Sequence, residues 1–273
     1  MSPLEFTFRD TRLTPAGRRY RVPVTTDTAL APLASVPAIP VGIDPEGFSA
    51  RMRIRYDQIF EAFWAHPYLA GLRDGTAPKE AVVHYVGQDH QYLTAFMRCY
   101  GLGAAISPDR DWIGFFNDQT SFLLHDETHA HHALCDAVGI SYDEAQVDRL
   151  APTAQAYVNH MMASAHDSLG VLLAALMPCP WTYIWAGTRH RAEGGPAAEN
   201  PFAGWWEFYG SEESQQILVE FARRLDLLAA EAGPAELARM ERAFEASCHH
   251  EVRFWQMAWT QETWEQLPEA ILR

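Results

Sequence analysis

Two carboxylates stand where the hydrophobic pattern of this 273-residue chain calls for an apolar side chain. Val82, Val86, Leu93 and Phe96 recur at helical steps, and Asp89 fills the vacant place between Val86 and Leu93. Tyr85 and Tyr92 flank it at the four- and three-residue steps that make neighbours on a helix. Phe244, Cys248, Trp255 and Ala258 form a second seam, with Glu251 in its middle and Phe254 beside it. A carboxylate aimed at a core must be hydrogen-bonded, paired or protonated. Two on separate helices can converge on one pocket for acid–base work, or each can satisfy an Arg or a backbone group. The third feature is Cys179, set between Pro178 and Pro180. Prolines inside a helix remove N–H groups and clash with preceding carbonyls, so the helix is expected to kink at Cys179 and aim the thiol into a cavity. A nucleophilic thiol needs an activating neighbour, and none is near in sequence, so activation must come across the bundle. The plain alternative is an inert core thiol.

The 12 histidines are a possible metal source. His125, His129 and His132 share one helical face, and Glu127 with His131 and Glu245 with His249 are i, i+4 pairs. The Glu-x-x-His repeat of bundle di-iron sites is missing, so these side chains are expected to be solvated and no metal is expected.

Composition narrows the remaining choices. The net charge is -14, and Lys79 is the single lysine among 21 basic residues. That balance disfavours a nucleic-acid surface, removes any Gly-Lys-Ser/Thr phosphate loop and leaves one residue for Schiff-base chemistry. Cys99, Cys135, Cys179 and Cys248 form no C-x-x-C pair, which reads as thiols in a reducing cytoplasm. No secretory signal pattern is seen. Leu169 to Gly187 carries no charge and is long enough to span a bilayer, but its prolines and the acidic Asp167 before it favour a buried core helix.

The elements that must position the chemistry are helical. Residues 1–45 hold seven of the 17 prolines and five arginines, and read as an extended arm. The rest, 46–273, reads as one all-α domain without strands, hairpins or repeats. Helical pattern runs over 46–65. It resumes at Pro78 and continues to Ala105. Another stretch runs from Pro108 to the stop at Gly139. Ser141 to Glu144 reads as a capping box. Further helices are expected over Pro152–Asp167, the uncharged run to Arg191, a short aromatic segment ending at Tyr209, Ser211–Ala232, and from Gly233-Pro234 to about Gln261.

Five strings occur together: His66-Pro-Tyr-Leu-Ala-Gly-Leu-Arg-Asp-Gly-Thr-Ala-Pro78, Gln88-Asp-His-Gln-Tyr-Leu-Thr-Ala-Phe-Met-Arg98, Pro152-Thr-Ala-Gln-Ala-Tyr157, Leu173-Ala-Ala-Leu-Met-Pro-Cys-Pro-Trp-Thr-Tyr183 and Phe254-Trp-Gln-Met-Ala-Trp259. In order and spacing they resemble the TenA/thiaminase II family over about residues 46–262. The resemblance implies a haem-oxygenase-like helical bundle, commonly a homotetramer, without cofactor or metal. It implies hydrolysis of 4-amino-5-aminomethyl-2-methylpyrimidine, and of thiamin, to the hydroxymethylpyrimidine. Carried onto this chain, the nucleophile is Cys179 and the acid/base is Glu251. Asp89 anchors the substrate with Tyr92, and Tyr157, Tyr209 and Tyr183 line the pocket. Trp185 stands where family members often place a glutamate, and His90 and Gln91 are departures between Asp89 and Tyr92. The expected partners are a small aminopyrimidine or thiamin and further copies of the chain, as a dimer or tetramer. The expected compartment is the cytoplasm, with no nucleic acid and no membrane. Rival readings are a di-iron oxidase on the same fold, a cofactorless oxidase of the quinone-biosynthesis type, and a non-enzymatic pyrimidine-binding regulator. The first needs histidines four residues either side of Glu251, where Ser247 and Trp255 stand.

Overall fold

The computed structural model describes residues 39–125 and 128–264, which fold as helices joined by short turns. The arm expected over 1–45 lies outside the described residues except for 39–45, which form turns. Among the described residues there are twelve α-helices, one 3-10 turn and no strand.

The expected helix over 46–65 is two: α1 (Phe48–Arg55) and α2 (Asp57–Trp64), with Tyr56 leaving helical geometry between them (φ -103°, ψ 19°). Next, α3 (Pro67–Asp74) opens on a His66 cap, whose Nδ1 accepts from the Tyr68 N–H at 3.1 Å, and closes on Gly75 (φ 72°). Then α4 (Lys79–Ala105) starts one residue after Pro78 and ends as the pattern indicated. The stretch from Pro108 to Gly139 is also two helices, α5 (Arg110–His125) and α6 (Thr128–Val138). Asp109, rather than Pro108, caps α5 by accepting from the N–H groups of Asp111 and Trp112.

Ser141 and Glu144 make the reciprocal bonds of a capping box, yet only the 3-10 turn Asp143–Ala145 follows. Side chains from α4 take over the backbone beyond it. Gln91 donates to the Val147 carbonyl, and Gln88 bonds both the Arg149 carbonyl and the Ala151 N–H. Gly87 permits the docking: a Cβ there would sit 2.3 Å from the Ala145 carbonyl oxygen.

The chain continues through α7 (Pro152–Ser164), α8 (Leu169–Leu176), α9 (Pro178–Ala192), α10 (Ala203–Tyr209), α11 (Glu212–Glu231) and α12 (Pro234–Thr260). The uncharged run forms α8 and the start of α9. Gly170 to Leu176 is buried on every side, as befits a core helix. The two 27-residue helices α4 and α12 are each about 40 Å long and pack together. Helices α2, α3, α7, α8 and α9 also pack on α12, while α5, α6 and α7 pack on α4. Trp255 stands in the middle of this bundle, with ring centroids of Tyr68, Tyr85, Tyr183 and Phe63 at 4.8–5.3 Å.

Candidate active site

Asp89 and Glu251 are both buried, at 4% and 2% exposure, on α4 and α12. Apolar neighbours at i±3 and i±4 turn each inward, and the two helices face each other. Asp89 Oδ2 receives the Tyr85 hydroxyl at 3.2 Å and lies 2.7 Å from His131 Nε2. Glu251 Oε1 accepts from the Tyr157 hydroxyl at 2.6 Å. Its Oε2 is 3.4 Å from the Thr182 hydroxyl, which also lies 3.2 Å from the Cys179 carbonyl oxygen. Thr182 thus ties the backbone of the candidate nucleophile to the candidate acid.

The helix break falls at Met177-Pro178, two residues before the position expected from the pattern, and Cys179 lies in the first turn of α9. The prolines remove the N–H groups that would have served the Ala174 and Leu176 carbonyls. Ser247 on α12 donates to the carbonyl between them, Ala175, at 2.6 Å. The Cys179 side chain lines a cavity of about 30 Å³ with Leu93, Phe96, Tyr100, Ile184 and Tyr209. That volume holds one or two waters, so a flat ring enters only when side chains around Cys179 shift. Burial pushes Cys99 up to about 12 and Cys135 up to about 11, and holds Cys248 well above the ordinary thiol range.

Tyr183 joins the two halves. Its hydroxyl is 3.3 Å from that of Tyr85, which bonds Asp89. Burial holds the Tyr183 phenol well above its usual range, reinforced by Tyr85, Asp89, Glu251 and Cys179 around it. Tyr92 and Tyr157 pack ring to ring at 5.0 Å, and Phe254 packs on Tyr92 at 5.3 Å. Both phenols are raised by burial first; Cys179 then contributes most at Tyr92 and Glu251 most at Tyr157. Tyr209 lies 5.1 Å from Tyr183 and reaches the cavity because α10 comes against α9. Gly187 allows that approach, since a Cβ there would meet the Gly210 backbone at 2.5 Å. Of the seven residues singled out in the sequence, Cys179 and Tyr209 line the cavity, while Asp89, Tyr92, Tyr157, Tyr183 and Glu251 do not line it and are joined by the ring and hydrogen-bond contacts above.

Other expectations are corrected. His131 is not solvated: it is fully buried against Asp89. Its signal was present in the sequence, because Ala130, Leu134 and Cys135 place it on an apolar seam. Its expected partner Glu127 lies outside the described residues. Thr182 was missed, since a hydroxyl within an apolar run carries no distinguishing pattern. Trp185 faces away from the cavity into a box with Phe60, Trp64 and the guanidinium groups of Arg53 and Arg189. His90 points to the Tyr142 hydroxyl at 2.7 Å, and Gln91 holds the loop described above. No cluster of three or more metal-type side chains occurs among the described residues.

The comparisons bear on the family and the fold. The chain is 31% identical over 220 residues to the aminopyrimidine aminohydrolase of Bacillus subtilis (strain 168), covering 80% of this chain and 92% of that protein. The structure of a TenA homologue from P. horikoshii OT3 superposes with a TM-score of 0.68 at 22% identity, covering 78% of this chain and 99% of the other. A domain from Shewanella denitrificans described as having a heme oxygenase-like fold superposes with a TM-score of 0.54 at 12% identity, covering 78% and 92%. The fold is thus haem-oxygenase-like, and the sequence model of one family matches residues 50–261. With that match over most of its length, the chain belongs to the TENA/THI-4/PQQC family.

Proposed function

We propose that the protein is a cysteine-dependent aminopyrimidine aminohydrolase of the thiaminase II type. It hydrolyses 4-amino-5-aminomethyl-2-methylpyrimidine, and thiamin, to the hydroxymethylpyrimidine. The observation that carries the reading is Thr182, whose hydroxyl lies between Glu251 and the backbone of Cys179, the residue that lines the cavity; Asp89 bonds Tyr85, whose hydroxyl lies 3.3 Å from that of Tyr183.

In this reading the Asp89 carboxylate accepts from the exocyclic amine and tyrosine faces stack on the ring. The Cys179 sulfur bonds to the ring carbon next to the one bearing the aminomethyl group. Negative charge then builds on the ring, and Glu251 donates a proton to a ring nitrogen. The electron pair of that adduct expels the amine, which enters as the ammonium and leaves as ammonia, or expels the thiazole from thiamin. Water adds to the exposed methylene carbon and its surplus proton returns to the carboxylate. The thiolate then leaves, restoring the aromatic ring, and the ring nitrogen gives up its proton to the departed ammonia or to solvent. Net, one water enters and one amine departs.

The di-iron alternative is disfavoured by what Ser247 and Trp255 do. Ser247 holds the Ala175 carbonyl and lies 3.0 Å from His160 Nε2, while Trp255 is the core aromatic. The reading carries with it a cytoplasmic homo-oligomer, dimer or tetramer. The test is to offer the aminomethylpyrimidine and thiamin to wild type and to Cys179→Ala. Hydrolysis by wild type, reduced by about a thousandfold or more in the variant, is expected. Equal rates for the two would remove the mechanism, and inertness of wild type toward both compounds would remove the substrate assignment.

A further inference from the structure

Asp89 is held by two donors on one oxygen. The Tyr85 hydroxyl and His131 Nε2 both converge on Oδ2, and among the described residues no hydrogen bond reaches Oδ1. His131 is fully buried on α6, and Asp89 is on α4, so the bond joins two helices that pack together. The imidazole packs against two rings: Tyr142 stacks on it at 5.9 Å with planes 17° apart, and Tyr85 lies near-perpendicular to it at 6.0 Å. Tyr142 is in turn fixed by His90 at 2.7 Å and by the docked loop beyond it. His131 Nδ1 is buried with no hydrogen-bond partner among the described residues. A buried polar ring with one atom unsatisfied is an arrangement that core packing alone would not favour.

We propose that His131 is a positioning residue for the substrate-anchoring aspartate: by donating from Nε2 to Oδ2, it fixes the rotation of the carboxylate and leaves Oδ1 to accept from the exocyclic amine of the pyrimidine. The inference rests on Asp89 being the anchor in the proposed function. His131 touches no reacting atom, and its effect is on binding. Tyr85 alone, with a 3.2 Å bond and a hydroxyl shared with Tyr183, does not fix the rotation of the carboxylate about Cβ–Cγ.

The test measures hydrolysis of the aminomethylpyrimidine by wild type, His131→Leu, His131→Gln and Asp89→Asn, with the double variant Asp89→Asn/His131→Leu. His131→Leu is expected to raise KM about tenfold with kcat within about threefold of wild type. His131→Gln keeps an N–H donor near the Nε2 position and is expected to recover most of the loss. In the Asp89→Asn background, adding His131→Leu is expected to change KM by less than about threefold, because the partner is already altered. Unchanged KM in His131→Leu, equal damage from Leu and Gln, or full additivity with Asp89→Asn would each overturn the proposal. Proton NMR supplies an arm that needs neither substrate nor the Leu variant. A downfield imidazole proton in wild type should vanish in His131→Gln and move in Asp89→Asn; an imidazole proton indifferent to Asp89→Asn would overturn the bond. If wild type turns over no aminopyrimidine, the functional reading falls separately and the NMR arm still decides the pairing.

Discussion

At the residue scale the site is set by how each polar group is satisfied. Glu251 accepts from Tyr157 at 2.6 Å with its other oxygen 3.4 Å from the Thr182 hydroxyl, so its buried carboxyl is held in one orientation. If it moves a proton in the reaction, Glu251→Gln lowers kcat by about 10²–10⁴ and leaves KM within about threefold, measured on the aminomethylpyrimidine. A rise in KM with kcat intact would make it a binding group. Asp89 and Glu251 were visible in sequence because a charge on an apolar seam breaks a simple rule. Thr182 was not visible, because its function depends on two groups brought from α9 and α12. His131 broke the same rule as the carboxylates, but its seam is short and ends at residues whose pattern is polar.

At the element scale the two long helices and the α8–α9 break do the positioning. The proline pair announced a break, and its location at Met177-Pro178 follows from where the first N–H is lost. Ser247 secures it from α12 through the Ala175 carbonyl. Ser247→Ala is expected to cost about 1–3 kcal/mol of stability by removing a buried hydrogen bond to the α8–α9 junction, read as a shift in the urea midpoint at constant slope. Gly87→Ala puts a Cβ 2.3 Å from the Ala145 carbonyl oxygen, with Val147 also close. It is expected to cost about 1–3 kcal/mol and to loosen the 145–151 loop. Native-state hydrogen exchange at Ala151, whose N–H donates to Gln88, reports the loosening. The capping box at Ser141 shows why local signals mislead here. Its bonds form as the sequence indicates, but Gln88 and Gln91 claim the following backbone groups before a helix can propagate.

At the scale of the whole molecule, buried histidines make stability fall in acid. Burial, aided by the positive charges of neighbouring His160 and Arg253, lowers His250 to about 4 from an ordinary 6.5. His66, His84, His90, His160 and His190 are lowered too, each by burial first. The unfolded chain then binds more protons than the folded one between about pH 6.5 and 4, so their contribution is complete above 6.5 and is lost on descending toward 4. The urea midpoint is expected to drop between pH 7.5 and pH 5, and His250→Phe to flatten part of that dependence. An unchanged midpoint would contradict the burial assigned to these rings. Assembly belongs to this scale as well. Sedimentation of the purified chain at micromolar concentration is expected to show a dimer or tetramer, and a monomer would refute the oligomer proposed above.

The sequence by itself determined that the part of the chain from residue 46 to about 261 is helical, where most of its helices begin and end, and which two acids and one thiol are out of place. Each of those follows from local rules: helical periodicity, capping, and the exclusion of charge from apolar seams. Only the tertiary structure decided that Asp89 pairs with His131, that Thr182 joins Cys179 to Glu251, and that Trp185 packs away from the cavity. Those facts depend on how helices distant in the chain rotate and dock, and that is fixed by the summed packing of aromatic side chains around Trp255, which no local window of sequence contains.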